Sequence, residues 1–329
     1  MKQTKLPTSI NSPVKLADAG NSGLVLAYFH ALSPQQKGVL LAVLAAMGFS
    51  FKAIFVKLCY QVTAIDAITL LTLRMSLALP LFLFMGGSAL LSWGQLSGND
   101  RWKILGLGVV GYYGSSLLDF MGLEYISAGL ERLILFTYPA ITVILGIVFW
   151  GKRADKRLVL ALLLSYAGIA LGFVHDASLS PDLRQLIIGG ALVFACAFLY
   201  ALYNAGSETL IQRLGALPFT VLTLCITTAA VLLHFIIQQP LGKVMHLPWQ
   251  IYLYSLAMAV FSTVLPIFWQ ASAIKYLGAA KAVLIGTLGP VLTIFFSWYF
   301  LSEPISIEQI VGTLMVLAGV LLVAKSKRQ

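Results

Sequence analysis

Seven ionisable side chains interrupt the apolar sequence of the first half of this chain: Lys52, Lys57, Arg74, Asp119, Glu124, Glu131 and Arg132. Charge in an apolar setting is costly, so such groups persist where they face one another, water or a polar ligand. Lys57 and Glu124 sit near the ends of their apolar runs, where a long side chain can reach water. Arg74 and Asp119 lie a turn or more from those ends, which makes that escape harder. Arg74, Asp119 and one or both of Lys52 and Glu131 are therefore expected to line a partly hydrated cavity. Asp119 and Glu131 are the groups there that could exchange a proton. Ion pairing that only packs helices is the competing reading, and the residues alone leave both open.

Polar and aromatic residues extend this set. Tyr112 and Ser115 fall toward the Asp119 side of their segment, because positions three and four apart share a helix face. In the second half, Tyr203, Asn204, Trp269 and Gln270, with Tyr200, could grip an organic solute by stacking and hydrogen bonding. For any one of these aromatics, helix packing is the favoured reading. Pro139 and Pro290 each remove a backbone donor from an apolar segment, so bends are expected there as gating points.

The elements that must hold these residues are set by composition. The 329 residues are 59% hydrophobic and 10% charged, with a mean hydropathy of +0.91. A soluble domain carries about 25% charged residues, so lipid must be the solvent for most of this surface. A spanning helix needs about 20 mostly apolar residues. Ten segments qualify: 38–60, 68–91, 103–124, 128–150, 157–174, 186–206, 217–237, 250–274, 279–301 and 307–324. The fold class is an all-α integral membrane protein with ten transmembrane helices. Residues 1–37 read as a cytoplasmic tail without a secretory signal, carrying a short interfacial helix over Leu24–Leu32. Residues 325–329 form a second tail.

Orientation follows from the basic residues. With the N-terminus inside, the inner segments hold Lys2, Lys5, Lys15, Lys37, Arg101, Lys103, Lys152, Arg153, Lys156, Arg157, Arg213, Lys275, Lys281, Lys325, Lys327 and Arg328. The outer segments hold Arg132, Arg184 and Lys243. Cytoplasmic loops are the ones enriched in Lys and Arg, so both termini are expected in the cytoplasm of a bacterial inner-membrane protein. This distribution also explains the net charge of +10 without nucleic acid, for which the basic residues would need to gather on one face.

A shift of 151 residues aligns the two halves without a gap. Tyr125 falls on Tyr276, Pro139 on Pro290, Thr142 on Thr293, Phe149 on Phe300, and Ala167-Gly168 on Ala318-Gly319. Each copy, 38–174 and 186–324, holds five spans. An odd number makes the second copy enter from the opposite side, giving two inverted five-helix repeats. Such repeats recur in secondary transporters, with the solute site near the midplane between them.

The stretch Gly122-Leu-Glu-Tyr-Ile-Ser-Ala-Gly to Tyr138-Pro139, with the later Ala167-Gly168 helix, resembles the EamA family of the drug/metabolite transporter superfamily. The second copy, from Ala273-Ile-Lys-Tyr through Leu288-Gly-Pro290 and Glu303-Pro304 to Ala318-Gly319, resembles it more closely. Glu131-Arg132 departs from the small apolar residues usual there. The resemblance implies ten helices, with the fifth and tenth peripheral and the others around a central cavity, and transport of small metabolites across the inner membrane.

The expected function is a permease for small organic solutes, an exporter of amino-acid-like or drug-like compounds by alternating access, with protons as a candidate coupling partner. A membrane sensor or scaffold and a passive facilitator are the alternatives. No phosphate-cradling Gly-x-x-x-x-Gly-Lys loop is present, so ATP is not expected to drive it from this chain. Neither a cofactor nor a metal is expected. Cys59, Cys196 and Cys225 stand singly and read as buried thiols.

Overall fold

A computed structural model describes residues 32–150, 156–180 and 182–326. The 24–31 part of the expected interfacial helix and the 151–155 loop with Lys152 and Arg153 lie outside the described residues. Backbone polar groups in hydrocarbon must be satisfied within their own segment, and the chain complies with ten helical passes. They are α1 (Pro34–Val62), α2 (Ala67–Gly86, continued by a 3₁₀ stretch Gly87–Gln95), α3 (Gly98–Gly106, Leu107–Gly114 and Ser115–Gly122), and α4 (Ala128–Leu135 and Tyr138–Trp150). The first half closes with α5 (Lys156–Leu179). The second half is α6 (Leu183–Leu214), α7 (Ala216–Gln238), α8 (Trp249–Ala259, Val260–Val264 and Leu265–Leu277), α9 (Ala279–Gly286 and Gly289–Leu301), and α10 (Ile307–Ser326). Eight passes are apolar helices of 18 or more residues, and the apolar helices Gly289–Leu301 and Ile307–Leu322 are shorter.

Local sequence fixes where the passes begin. Ser33 accepts from the Gln36 backbone while the Gln36 side chain returns to Ser33, a capping box that starts α1 at Pro34, ahead of the expected 38. Asp66, Ser97, Ser127 and Asp182 cap α2, α3, α4 and α6, each side chain accepting from a first-turn backbone N–H. These polar side chains take up helix-end donors that lipid could not satisfy.

The repeat is visible in the breaks of the helices. α4 is interrupted at 136–137 and α9 at 287–288, 151 residues on, and each resumes with a 13-residue helix, Tyr138–Trp150 and Gly289–Leu301. α3 widens into a π-helical turn at Leu107–Gly114, and α8 does so in the corresponding stretch, Val260–Val264. Pro139 and Pro290 therefore do not kink a continuous helix. They sit in the first turn after the break, where a missing N–H leaves nothing unpaired.

The halves interlock by exchange. α1 packs against α8 and α9 of the other half, and α6 packs reciprocally against α3 and α4. Glycines set the closeness of these crossings. A Cβ on Gly38 would meet Leu277 and Tyr276, and one on Gly189 would meet Tyr125 and Ile126, the same contact repeated 151 residues on. α5 and α10 pair with each other at the edge of the bundle. Gly168 faces the Gly312 carbonyl there, and Gly319 faces the Ala161 carbonyl. The outward surface is apolar, with Phe84, Val148, Ile237 and Tyr299 exposed, as a lipid-facing surface requires. Two ion pairs tie the halves at opposite ends: Asp66 to Lys243 at 2.5 Å, and Asp100 to Arg213 at 3.0 Å.

Candidate solute-binding site

A cavity of about 370 Å³ lies between the halves. The first half supplies its charge. Lys52 on α1 places Nζ 2.6 Å from Asp119 Oδ2 on α3 and 3.2 Å from Glu131 Oε1 on α4. Asp119 and Glu131 are buried, and Glu131 Oε2 has no hydrogen-bond partner among the described residues. Lys52 and Asp119 reach the cavity wall, while Glu131 lies behind it, bonded to Lys52. Cys196 also lines the cavity, its Sγ 4.0 Å from Asp119 Oδ1; Cys59 is buried and Cys225 half-buried.

Arg74 lines the same cavity but is not paired with Asp119. Its Nε donates to Thr263 Oγ1 on α8 at 2.9 Å, and its guanidinium lies 5.5 Å from the Phe120 ring. The π-helical turn of α8 explains the partner: an extra residue in the turn moves Ser262 and Thr263 out of the ordinary helical phase and onto the cavity wall, and Thr263 Oγ1 itself donates five residues back to Met258 O. Arg132, expected among the outer loop charges, is instead buried and lines the cavity. It lies in the first helical segment of α4, and its Nε donates to Thr293 Oγ1 on α9 at 3.0 Å. Its Nη2 donates to the Phe49 carbonyl. Both arginines thus bridge from the first half to a threonine of the second.

Of the remaining expected residues, Tyr112, Ser115, Tyr203, Gln270 and Pro139 line the cavity. Asn204 and Trp269 do not. Each is one position away from a lining residue, which turns it about 100° around its helix; the Asn204 amide donates to the Tyr200 carbonyl of its own helix. Pro290 is buried beside the lining residue Gly289, and the Gly289 carbonyl accepts from Ser50 Oγ on α1 at 3.0 Å. Sequence reasoning left out Phe49, Phe136, Tyr138, Ser262 and Thr263, all on the wall. The signal for Tyr138 was available, since it precedes a paired proline. Tyr200 meets Tyr138 edge-on and stacks with Tyr203, with centroids 4.9 and 6.1 Å apart. α10 contributes Val320 to the wall, so the tenth helix is not wholly peripheral.

The ionisable residues near helix ends play a different part. Lys57 Nζ donates to the carbonyls of Leu123 and Ile126 at the end of α3. Asp176 accepts from the Ser127 N–H and hydroxyl, and Glu303 accepts from the Ala128 N–H. Burial pushes the Glu303 carboxyl up, against the pull of Lys57. His234 bonds Tyr113 through Nδ1.

The EamA-like transporter family profile matches this chain twice, over residues 36–174 and 187–325. The chain belongs to the EamA-like transporter family. The two matches coincide with the two halves that interlock around the cavity, so this EamA protein is a multi-pass membrane transporter and not an enzyme. It is similar to the uncharacterized transporter YcbK of Bacillus subtilis, with 31% identity over 284 residues, 84% of this chain and 88% of the relative. The uncharacterized transporter sll1319 of Synechocystis is 26% identical over 324 residues, 88% of this chain and 94% of its own length. One solved crystal structure shares the fold at a TM-score of 0.60 and 16% identity, covering 89% of this chain and 99% of that one.

Proposed function

We propose that this EamA protein is a secondary carrier that exports small organic solutes by alternating access, coupled to protons. The observation that carries this reading is the Lys52–Asp119–Glu131 cluster at the wall of a cavity between two inverted halves. The repeat units are 38–174 and 186–324. Both termini face the cytoplasm of a bacterial inner membrane, with residues 1–37 and 325–329 as tails.

Alternating access requires the halves to rock about the solute. Arg74–Thr263, Arg132–Thr293 and Ser50–Gly289 all cross between halves at the cavity. They are the contacts that such a motion remakes. The helix breaks before Pro139 and Pro290 place a deformable joint in α4 and in α9 on either side. Lys52 holds two carboxylates at once. A proton on Asp119 or Glu131 removes one of its partners and frees the ammonium to follow the remaining one. Proton binding at the cluster thereby changes which helices Lys52 ties together. Tyrosines around the cavity supply apolar area with polar tips for an organic solute.

Flux of candidate solutes into proteoliposomes, measured across a pH series, tests the reading. Wild type should show saturable, pH-dependent flux. Asp119→Asn or Glu131→Gln should flatten the pH dependence and lower the rate at least tenfold. No saturable flux for any solute would refute the carrier itself. Unchanged pH dependence in both variants would remove the cluster from coupling. Reporter fusions at the C-terminus test the orientation, with cytoplasmic activity expected.

A further inference from the structure

The cavity holds more positive than negative charge. Lys52, Arg74 and Arg132 face it or its wall, against Asp119 and Glu131. Three cations and two carboxylates leave one positive charge uncompensated among the described residues. Both carboxylates are engaged by Lys52, and neither arginine forms an ion pair among the described residues. An unmatched guanidinium deep in the membrane is costly unless something neutralises it.

Arg74 is the less occupied of the two. It is 4% exposed, and of its nitrogens Nε alone has a hydrogen-bond partner among the described residues. That bond fixes the plane of the guanidinium and leaves both Nη groups available as a fork. Beside Thr263, Ser262 is 1% exposed and lines the same cavity, and its hydroxyl has no partner among the described residues. A buried hydroxyl without a partner forfeits a hydrogen bond unless a ligand completes it. The π-helical turn of α8 brings both groups to the wall together.

We propose that Arg74 and Ser262 form a subsite for the carboxylate of an organic anion whose aromatic or apolar body lies against Tyr112, Tyr200 and Tyr203. The inference rests on the carrier reading and names its solute class. A planar guanidinium matches a carboxylate through two parallel N–H···O bonds, and the Ser262 hydroxyl supplies a third donor. A single negative charge cancels the surplus, whereas a doubly charged phosphate ester would overshoot it. Arg132 adds attraction from the same cavity, and the tyrosines supply the surface for the body.

The test is thermal unfolding of the full chain in nanodiscs with matched acid and amide pairs: benzoate and benzamide, 3-phenylpropanoate and its amide, indole-3-acetate and its amide. At least one acid should raise the melting temperature with saturable dependence, and its amide should bind at least tenfold more weakly. Arg74→Gln should abolish the preference for the acid, Arg74→Lys should restore part of it, and Ser262→Ala should weaken acid binding a few-fold. The wild-type comparison needs no variant, so a poorly folding Arg74→Gln does not spare the proposal. Equal binding of acids and amides, or no acid binding above chloride alone, overturns it. Saturable flux of a neutral solute in that case would leave the carrier reading standing, which separates the two failures.

Discussion

Lys52 decides the electrostatics of the cavity, since it is the one described cation in ion-pairing distance of Asp119 and Glu131. Removing one partner from a buried ion cluster leaves the other charges uncompensated, at a cost of about 3–5 kcal/mol. Lys52→Met should lower stability by about that amount, read as chemical unfolding in detergent micelles. Combining it with Asp119→Asn and Glu131→Gln should recover most of the loss. Asp66 works at a surface end instead. Burial opposes its charge, but hydrogen bonds from Lys243 and from the Thr69 backbone and hydroxyl outweigh that and hold its carboxyl below the ordinary carboxylate range. A lowered folded-state pKa means the contribution is complete above the unfolded value of about 3.9 and is lost as pH falls through the lowered one. Asp66→Asn should therefore reduce stability at neutral pH and flatten the acid limb, as seen in melting temperatures taken from pH 7 down to 3. The cluster around Lys52 was legible in the sequence because ionisable residues inside apolar runs mark themselves. The partner of Arg74 was not. Thr263 comes from the other half, and a π-helical turn carries it there out of the phase that a 3.6-residue count assumes.

At the scale of elements, the α5–α10 pair depends on the absence of side chains. A Cβ on Gly168 would stand 2.4 Å from the Gly312 carbonyl, and nothing lies within 4 Å of one on Gly106. Overpacking of this kind costs about 1–3 kcal/mol. Gly168→Ala should destabilise the bundle by that much, whereas Gly106→Ala should be neutral or slightly favourable, since alanine is the better helix former. Comparing the two unfolding curves checks the contrast. The passes themselves were readable from hydropathy and from the gapless 151-residue shift. Their interruptions were less so: the prolines pointed to the right places but suggested bends, while the chain breaks two residues earlier and uses proline to begin again. Asn204 and Trp269 show the same limit. Composition marks a polar or aromatic residue, and only the rotation of the helix decides whether it meets the cavity.

For the molecule as a whole, the ion pairs Asp66–Lys243 and Asp100–Arg213 join helix ends and connections, and the two pairs correspond to each other under the internal repeat, one at each mouth. In both, the first half carries the acid and the second the base. On the proposed alternating-access reading, the two resting postures should have nearly equal free energy, because a deep preference for one would stall the cycle. Among the described residues, one ionic clasp per mouth keeps that balance level. Cutting a single clasp should tip it: Asp100→Asn should enrich the posture open beside α3 and α6, and Asp66→Asn the opposite one. Spin labels across each mouth would register the tilt as a changed ratio of short to long distances. Cutting both at once should restore the ratio seen in the unaltered protein while quickening the exchange between postures.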